Sequence, residues 1–415
     1  VFAIQNDAPM NKLLVGFLAI TSIIGCKPNQ PADATLKTGI WRGVIETQGH
    51  PVPFTFEVSD SANHTIITLR NAEERIRIDE VVIDGDSINI PMHIYDANIK
   101  AKLIGDSLVG EYQRNLDREY RLPFNATFGK SYRFLEDKNY KNTVSYDGKY
   151  AVEFKRDETI TPAIGIFKQT NDQVTGTFLT ATGDYRFLEG SIVRDTLYLS
   201  AFDGNAVYHF RATQSPDGTL QGFFYSGKSG SRTWTAHIDE NAKLADSNTL
   251  TYLKDGYTKI DFTFPDVNGN LHSLQDEKYK NKVVILQILG TWCPNCLDET
   301  NFLVPWYTKN QSRGIEIIGL AYEQKDDFAY ASSRVKKLVD KLSIPYEILI
   351  AGTPTKAAES LPMLNTVMAY PTTIFIGKDG NVKKIHTGFE GPGTGELYTR
   401  LIQEFNNTID ALVQE

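Results

Sequence analysis

The chain changes its hydrophobic rhythm once. From Thr38 to about Asp239, apolar and polar residues alternate in short runs such as Val52-Pro53-Phe54-Thr55-Phe56 and Thr196-Leu197-Tyr198-Leu199-Ser200. Turn dipeptides break these runs at Asp84-Gly85, Gly105-Asp106, Asp147-Gly148, Asp203-Gly204 and Asp217-Gly218. Period-two alternation between such breakers predicts antiparallel strands and hairpins, and no long helical period interrupts it. The β pattern also repeats. Gly39-Ile40-Trp41 returns as Gly148-Lys149-Tyr150, and Asp86-Ser87-Ile88-Asn89-Ile90 as Asp195-Thr196-Leu197-Tyr198-Leu199, both 109 residues on. Leu108-Val109-Gly110 returns as Leu220-Gln221-Gly222 at a spacing of 112. Two related modules are expected, over 38–130 and 145–240, each a small antiparallel barrel or sandwich. Their many Tyr and Phe read first as core and second as the lining of a ligand cavity.

A polar linker, 241–258, separates this half from a region of alternating strand and helix. A hairpin is predicted around Asn268-Gly269. Strands follow over 283–289, 315–323 and 346–350, with helices over 297–310 and 326–342 between them. Strands over 372–377 and 382–387, joined at Asp379-Gly380, precede a last helix over 394–413. A βαβ opening closed by a hairpin and a helix is a mixed-sheet α/β domain over 259–415.

The candidate chemistry sits where the 283–289 strand turns into the next helix, at Thr291-Trp292-Cys293-Pro294-Asn295-Cys296. A thiol at a helix N-terminus meets unpaired N–H groups and the positive end of the helix dipole, which favour thiolate. The first thiol, Cys293, is expected to stand exposed there. Cys296, one turn on, can close a small ring by attacking a mixed disulfide. The chain holds three cysteines in 415 residues. Its seven histidines are scattered without ligand spacing, so no metal site is expected. A structural disulfide or half of a metal site is the competing reading of the pair. The helix-turn context and the flanking Trp and Pro favour reversible redox chemistry.

The third cysteine, Cys26, ends a leader. Met10-Asn11-Lys12 is a short positive segment, and an apolar run follows over 13–24 before Gly25-Cys26. The run is too short to span a bilayer and suits a secretory signal. It resembles a bacterial lipobox, which implies a lipid on Cys26 as the membrane contact, after a segment 1–26 and before a tether 27–37. Residues 1–9 read as an extension ahead of Met10. An ordinary signal peptide with an incidental cysteine is the alternative. An exported, periplasmic location suits a redox pair and few other thiols. The net charge of −8 argues against nucleic acid as a partner.

Residues 259–415 resemble the TlpA/ResA-like branch of the thioredoxin superfamily. The resemblance rests on Trp292-Cys293-Pro294-Asn295-Cys296, on Ala369-Tyr370-Pro371-Thr372-Thr373 leading into a strand, and on the Phe262-Phe264-Pro265 opening. It covers none of the β half. It implies a thioredoxin fold after the all-β modules, a cis Pro371 beside the redox pair, and a substrate face formed by Trp292, Pro294, Asn295, Tyr370 and Pro371. Thioredoxins proper carry a buried Asp where this chain has Gln287, so another acid–base group is needed. The resemblance points to Glu323, at the end of the neighbouring strand; an exposed loop Glu is the alternative.

The activity implied is thiol-disulfide exchange without a cofactor other than the Cys293–Cys296 pair. Protein thiols and disulfides are the expected partners, with a membrane electron donor restoring the dithiol. Resemblance favours the reductive direction, which the reduction potential decides. Two alternatives stay open. One is a lipoprotein binding module whose β half recognises a partner. The other is a thiol peroxidase, although the Pro-x-x-x-Thr-x-x-Cys pattern of that chemistry is absent, Thr291 lying two residues before Cys293.

Overall fold

The computed structural model describes residues 36–62, 64–136 and 141–415. The leader with Cys26, and most of the tether, lie outside the described residues.

The first β module contains β1 (Gly39–Thr47), β2 (His50–Ser61), β3 (His64–Asn71), β4 (Glu74–Ile78), β5 (Val82–Asp84), β6 (Ser87–Pro91), β7 (Ala97–Ile104), β8 (Ser107–Arg114) and β9 (Arg121–Phe128). The second contains β10 (Gly148–Arg156), β11 (Thr159–Thr170), β12 (Gln173–Thr180), β13 (Gly183–Asp184), β14 (Leu188–Val193), β15 (Thr196–Phe202), β16 (Val207–Gln214), β17 (Leu220–Ser226) and β18 (Gly230–Ile238). Alternation sends one face of each strand inward; β9, for instance, buries Leu122, Phe124 and Ala126 and exposes the residues between.

The two sheets share one up-and-down topology. The first runs β4-β3-β2-β1-β9-β8-β7-β6-β5 and the second β11-β10-β18-β17-β16-β15-β14-β12-β13. All three sequence correspondences fall at equivalent places, the starts of β1 and β10, of β6 and β15, and of β8 and β17. Gly39 and Gly148 even share φ values of 120° and 124°.

They differ in closure. In the second sheet β11 also pairs with β12, making a closed barrel around Phe154, Phe178, Phe210, Phe224 and Trp234. In the first, β4 and β5 do not pair, and the sheet stays an open half-barrel. Its core is completed from outside. Phe202 of the second module packs 4.6 Å from Phe54 and edge-on to Tyr112 at 5.3 Å. Met92, Ile94 and Tyr95 of the half-barrel belong to one contiguous buried cluster with Cys293, Cys296 and Leu297 of the C-terminal domain. A core shared between modules couples them more tightly than a polar linker would.

The C-terminal domain opens with a short hairpin, β19 (Thr263–Pro265) and β20 (Leu271–Ser273). A five-stranded sheet follows, built from β21 (Val283–Leu289), β22 (Ile315–Tyr322), β23 (Glu347–Gly352), β24 (Thr372–Ile376) and β25 (Val382–Thr387) in the order β23-β22-β21-β24-β25. β21 is central and buried at every position, parallel to β22 and antiparallel to β24. The helices are α1 (Pro294–Asn310), α2 (Phe328–Leu342), α3 (Ala357–Ser360) and α4 (Glu396–Gln414). This is a thioredoxin-like fold.

Helix α1 starts three residues before the boundary expected from periodicity. Cys293 is its N-cap and Pro294 its first residue, a position where the missing N–H of proline costs nothing.

Close backbone packing makes the closed barrel sensitive to single atoms. A Cβ on Gly190 would lie 1.7 Å from the Tyr198 carbonyl oxygen of the paired strand. Gly190→Ala is therefore expected to destabilise the protein by about 2 kcal/mol or more, read as a fall in the thermal midpoint; an unchanged midpoint would contradict the described register.

Candidate redox site

The dithiol turn is held from both sides of the sheet. Gly290 leaves β21 with no side chain, because a Cβ there would meet the folded-back Trp292 ring at 2.3 Å. That ring donates Nε1–H to the Tyr322 carbonyl at 2.8 Å. The Thr291 backbone N–H and hydroxyl donate to the two carboxylate oxygens of Glu323 at 2.9 and 2.8 Å. The backbone then enters α1 with Cys293 extended, at φ −99° and ψ 116°. Its sulfur takes the place of a capping oxygen and accepts from the Cys296 N–H at 3.2 Å. The same thiol donates to the Tyr370 carbonyl at 3.2 Å. The Tyr370–Pro371 bond is cis, and the Tyr370 ring packs edge-on against Trp292 at 5.4 Å. The structure thus brings together Trp292, Cys293, Pro294, Asn295, Cys296, Tyr370 and Pro371. Both cysteines are free thiols.

Beneath the pair lies a buried polar network that sequence reasoning missed. Glu299 accepts from the Gln287 amide at 2.8 Å and from the Thr373 hydroxyl. Gln287 in turn accepts from the Tyr346 hydroxyl at 3.4 Å. Burial pushes the Glu299 carboxyl up to about 7, against the pull of these bonds. Cys296 is held well above the ordinary thiol range, chiefly by burial, then by its bond to Cys293 and by the charges of Cys293 and Glu299. The signal was available: Glu299 lies three residues beyond Cys296, and helical positions three apart share a face.

Glu323 is not on an exposed loop. It is 1% exposed, and burial pushes its carboxyl up to about 7. Its bonds go to Thr291, and none to either cysteine is present among the described residues. The expected proximity to Cys296 is better met by Glu299.

The expected exposure of Cys293 is corrected. The residue is 5% exposed and Cys296 1%. Part of the cover comes from the β half, for which no role at the site was foreseen. Asn205 donates its amide to the Trp292 carbonyl at 3.0 Å. Arg186, in the turn between β13 and β14, donates Nη1–H to the Pro294 carbonyl at 2.7 Å. Asn295 donates to Asp184 at 3.3 Å. Backbones meet closely here: a Cβ on Gly388 would lie 2.7 Å from the Thr182 carbonyl carbon, and one on Gly393 2.8 Å from the Arg186 carbonyl oxygen.

Around Arg186 lies a buried ion cluster. Its guanidinium donates to Glu74 of β4, with Nε at 3.0 Å, and pairs with Asp298 of α1 at 3.1 Å and Asp203 at 3.7 Å. Burial opposes the guanidinium charge, but the carboxylates of Asp298 and Glu74 outweigh it and hold Arg186 well above its usual range. One cation does not neutralise four carboxylates. Burial accordingly pushes Asp298 up to about 8 and Asp184 to about 6, and raises Asp203. Oδ2 of Asp184, Asp203 and Asp298 and the Tyr95 hydroxyl find no hydrogen-bond partner among the described residues.

These shifts set a sign for stability. A carboxyl whose folded value is raised binds its proton more tightly in the folded state, so its contribution is present below the ordinary carboxyl range. It is lost as pH rises through the folded values of about 6 to 8 at Asp184, Glu299, Glu323 and Asp298. The thermal midpoint should fall between about pH 5 and pH 9, and Asp298→Asn should flatten that slope. A slope unchanged by Asp298→Asn would contradict the assignment.

The AhpC/TSA family model matches residues 256–385. The chain is 32% identical over 135 residues to the thiol-disulfide oxidoreductase ResA of Geobacillus thermodenitrificans, covering 32% of this chain and 69% of that protein. It is 31% identical over 133 residues to ResA of Geobacillus kaustophilus, with the same shares covered. A thioredoxin-family thiol:disulfide interchange protein of Chlorobium tepidum superposes with a TM-score of 0.30 at 21% identity, over 39% of this chain and 99% of that one. With its dithiol turn on a thioredoxin-like sheet, the chain belongs to the TlpA/ResA-like thiol-disulfide oxidoreductases of the thioredoxin superfamily.

Proposed function

We propose that the protein reduces disulfides of exported proteins through Cys293 and Cys296, tethered outside the cytoplasm by a lipid on Cys26. The observation that carries the exchange reading is the paired thiol geometry, in which the Cys293 sulfur sits at the α1 N-terminus and accepts the Cys296 N–H. A thiolate at that place is stabilised by the helix end.

Cys293 attacks one sulfur of the substrate disulfide; a new S–S bond forms, and the other substrate sulfur leaves as a thiolate that takes up a proton. Cys296 then loses its proton and attacks the Cys293 sulfur. The second substrate thiol is released, and the protein is left as the Cys293–Cys296 disulfide. Two electrons have passed to the substrate, and a membrane dithiol donor returns them. Burial makes Cys296 hard to ionise, so its step needs a proton acceptor. Glu299 is suited to that role, being buried, on the same helix face, and raised to about 7. Glu323 supports the turn through Thr291. The Tyr370 carbonyl, with Pro371 beyond it, offers the acceptor against which a substrate backbone would align. No further cofactor enters these steps.

Outer attachment rests on the sequence of the leader. No helix among the described residues is long and apolar enough to cross a membrane. One lipid chain alone binds a membrane only marginally, so stable anchoring needs further acyl chains or a second signal.

Three outcomes follow. Cys293→Ser should abolish disulfide exchange, whereas Cys296→Ser should accumulate a mixed disulfide visible on non-reducing gels; equal trapping by both variants would refute the order of attack. Glu299→Gln should slow resolution by about a hundredfold, within the usual range for acid–base help, and Glu323→Gln by less than about tenfold in the same stopped-flow assay. Equal rates for Glu299→Gln and the parent would remove Glu299 from the proton path. Cys26→Ser should move the protein from the membrane to the soluble fraction with its exchange rate intact; retention in the membrane would point to an uncleaved leader.

A further inference from the structure

The β half supplies three groups to the dithiol turn, and one of them is unusual on every count. Arg186 is 6% exposed. Its φ is +57°, a left-handed conformation uncommon for a non-glycine residue. Its guanidinium reaches four separate parts of the chain: Glu74 of the half-barrel, Asp203 at the end of β15, the Pro294 carbonyl between the two cysteines, and Asp298 in the first turns of α1. The turn that carries it lies closely against the C-terminal domain. A Cβ on Gly183 would meet the Asn295 amide at 2.6 Å, and one on Gly391 would meet Asp184 and Asp298 at 2.9 and 3.0 Å.

We propose that Arg186 is a positioning residue of the redox centre, carried by the second β module, which fixes the Pro294 carbonyl and sets the charge seen by the Cys293 thiolate. The proposal rests on Cys293 being the attacking thiol. Two physical effects combine. The bond to the Pro294 carbonyl holds the first residue of α1, and with it the N–H of Cys296 that the Cys293 sulfur accepts. The guanidinium also places a permanent positive charge beside a helix N-terminus, in a water-poor setting where charges are weakly screened. Glu74 offsets part of that charge through its bonds to Nε and Nη2.

Other titratable groups lie around Arg186 and the dithiol turn. Asp184 and Asp203 come from the β half with Arg186, and Tyr95 from the half-barrel. Asp298 and Glu299 come from α1, Glu323 from the end of β22, Tyr370 from the turn before β24, and His386 from β25. Arg186 is the one cation among those that bond directly to the Cys293–Cys296 backbone in the described residues.

The two charges predict opposite signs. Removing the cation with Arg186→Gln should raise the pH at which the reduced full-length protein develops its ultraviolet thiolate absorbance, by about one unit. Glu74→Gln keeps an acceptor for Arg186 but deletes the offsetting charge, and should lower it. Arg186→Lys keeps the charge with fewer bonds and should restore at least half of the shift. The reduction potential, measured against glutathione, should separate the same variants. A structural role alone moves both variants in the same direction or neither.

Circular dichroism checks folding. If Arg186→Gln does not fold, Glu74→Gln and Arg186→Lys carry the test, and a Glu74→Gln midpoint at or above that of the parent overturns the proposal. So does a folded Arg186→Gln with an unmoved midpoint. Failure of the underlying function is distinguishable, because exchange retained by Cys293→Ser would remove Cys293 as the attacking thiol whatever the sign test gives.

Discussion

A single buried guanidinium ties the redox pair to the rest of the molecule. Arg186 bonds at once to the half-barrel, its own barrel, the dipeptide between the cysteines and helix α1. Taking such a charge out of water costs several kcal/mol, and only dense pairing offsets it. Breaking one partner leaves the others uncompensated. The arrangement is therefore one of specificity more than of strength: it admits one relative placement of three modules. The same placement buries Cys293, which in a bare thioredoxin fold of this sequence would be expected at the surface.

Apolar packing supports the placement. The first sheet does not close on itself, and Phe202 fills its interior from the second module. Its lower end, at Met92, Ile94 and Tyr95, continues into the cluster that holds both cysteines. A repeated β topology thus takes two forms. One copy closes into a barrel with its own aromatic core, and the other stays open and shares its core with both neighbours. The proton inventory follows from the same burial. Carboxyls that would be ionised at the surface are raised toward neutrality around the dithiol.

The sequence was most legible where chemistry is local. The cysteine spacing, the apolar β21 run and the Tyr370-Pro371 turn each carry their meaning in a few residues. The strand repeat was visible because period-two patterning and the starts of three strands, at Gly39 and Gly148, Asp86 and Asp195, and Leu108 and Leu220, recur in both units. Closure was not, since it depends on whether β12 pairs with β14 as well as with β11, which no pattern within a single strand encodes. Periodicity placed the start of α1 too late because it undervalues proline at the first helical position. Arg186 and Asp203 lie in strand connections and Asp184 ends the two-residue β13, places where charged residues ordinarily face water. Their burial arises only when three modules meet, so nothing short of the tertiary structure reveals it. Glu299 is recoverable from helical spacing, whereas the strand-end position of Glu323 suggests the ligand-facing role to the sequence alone.

The β half covers the dithiol. The most direct measurement is the rate at which a bulky maleimide labels Cys293 in the reduced, native full-length protein, compared with the same protein in denaturant and followed by mass spectrometry. With Cys293 5% exposed, labelling of the native protein should be slower by about a hundredfold or more, since it must await local opening. Native labelling as fast as that of the unfolded chain would contradict a covered site.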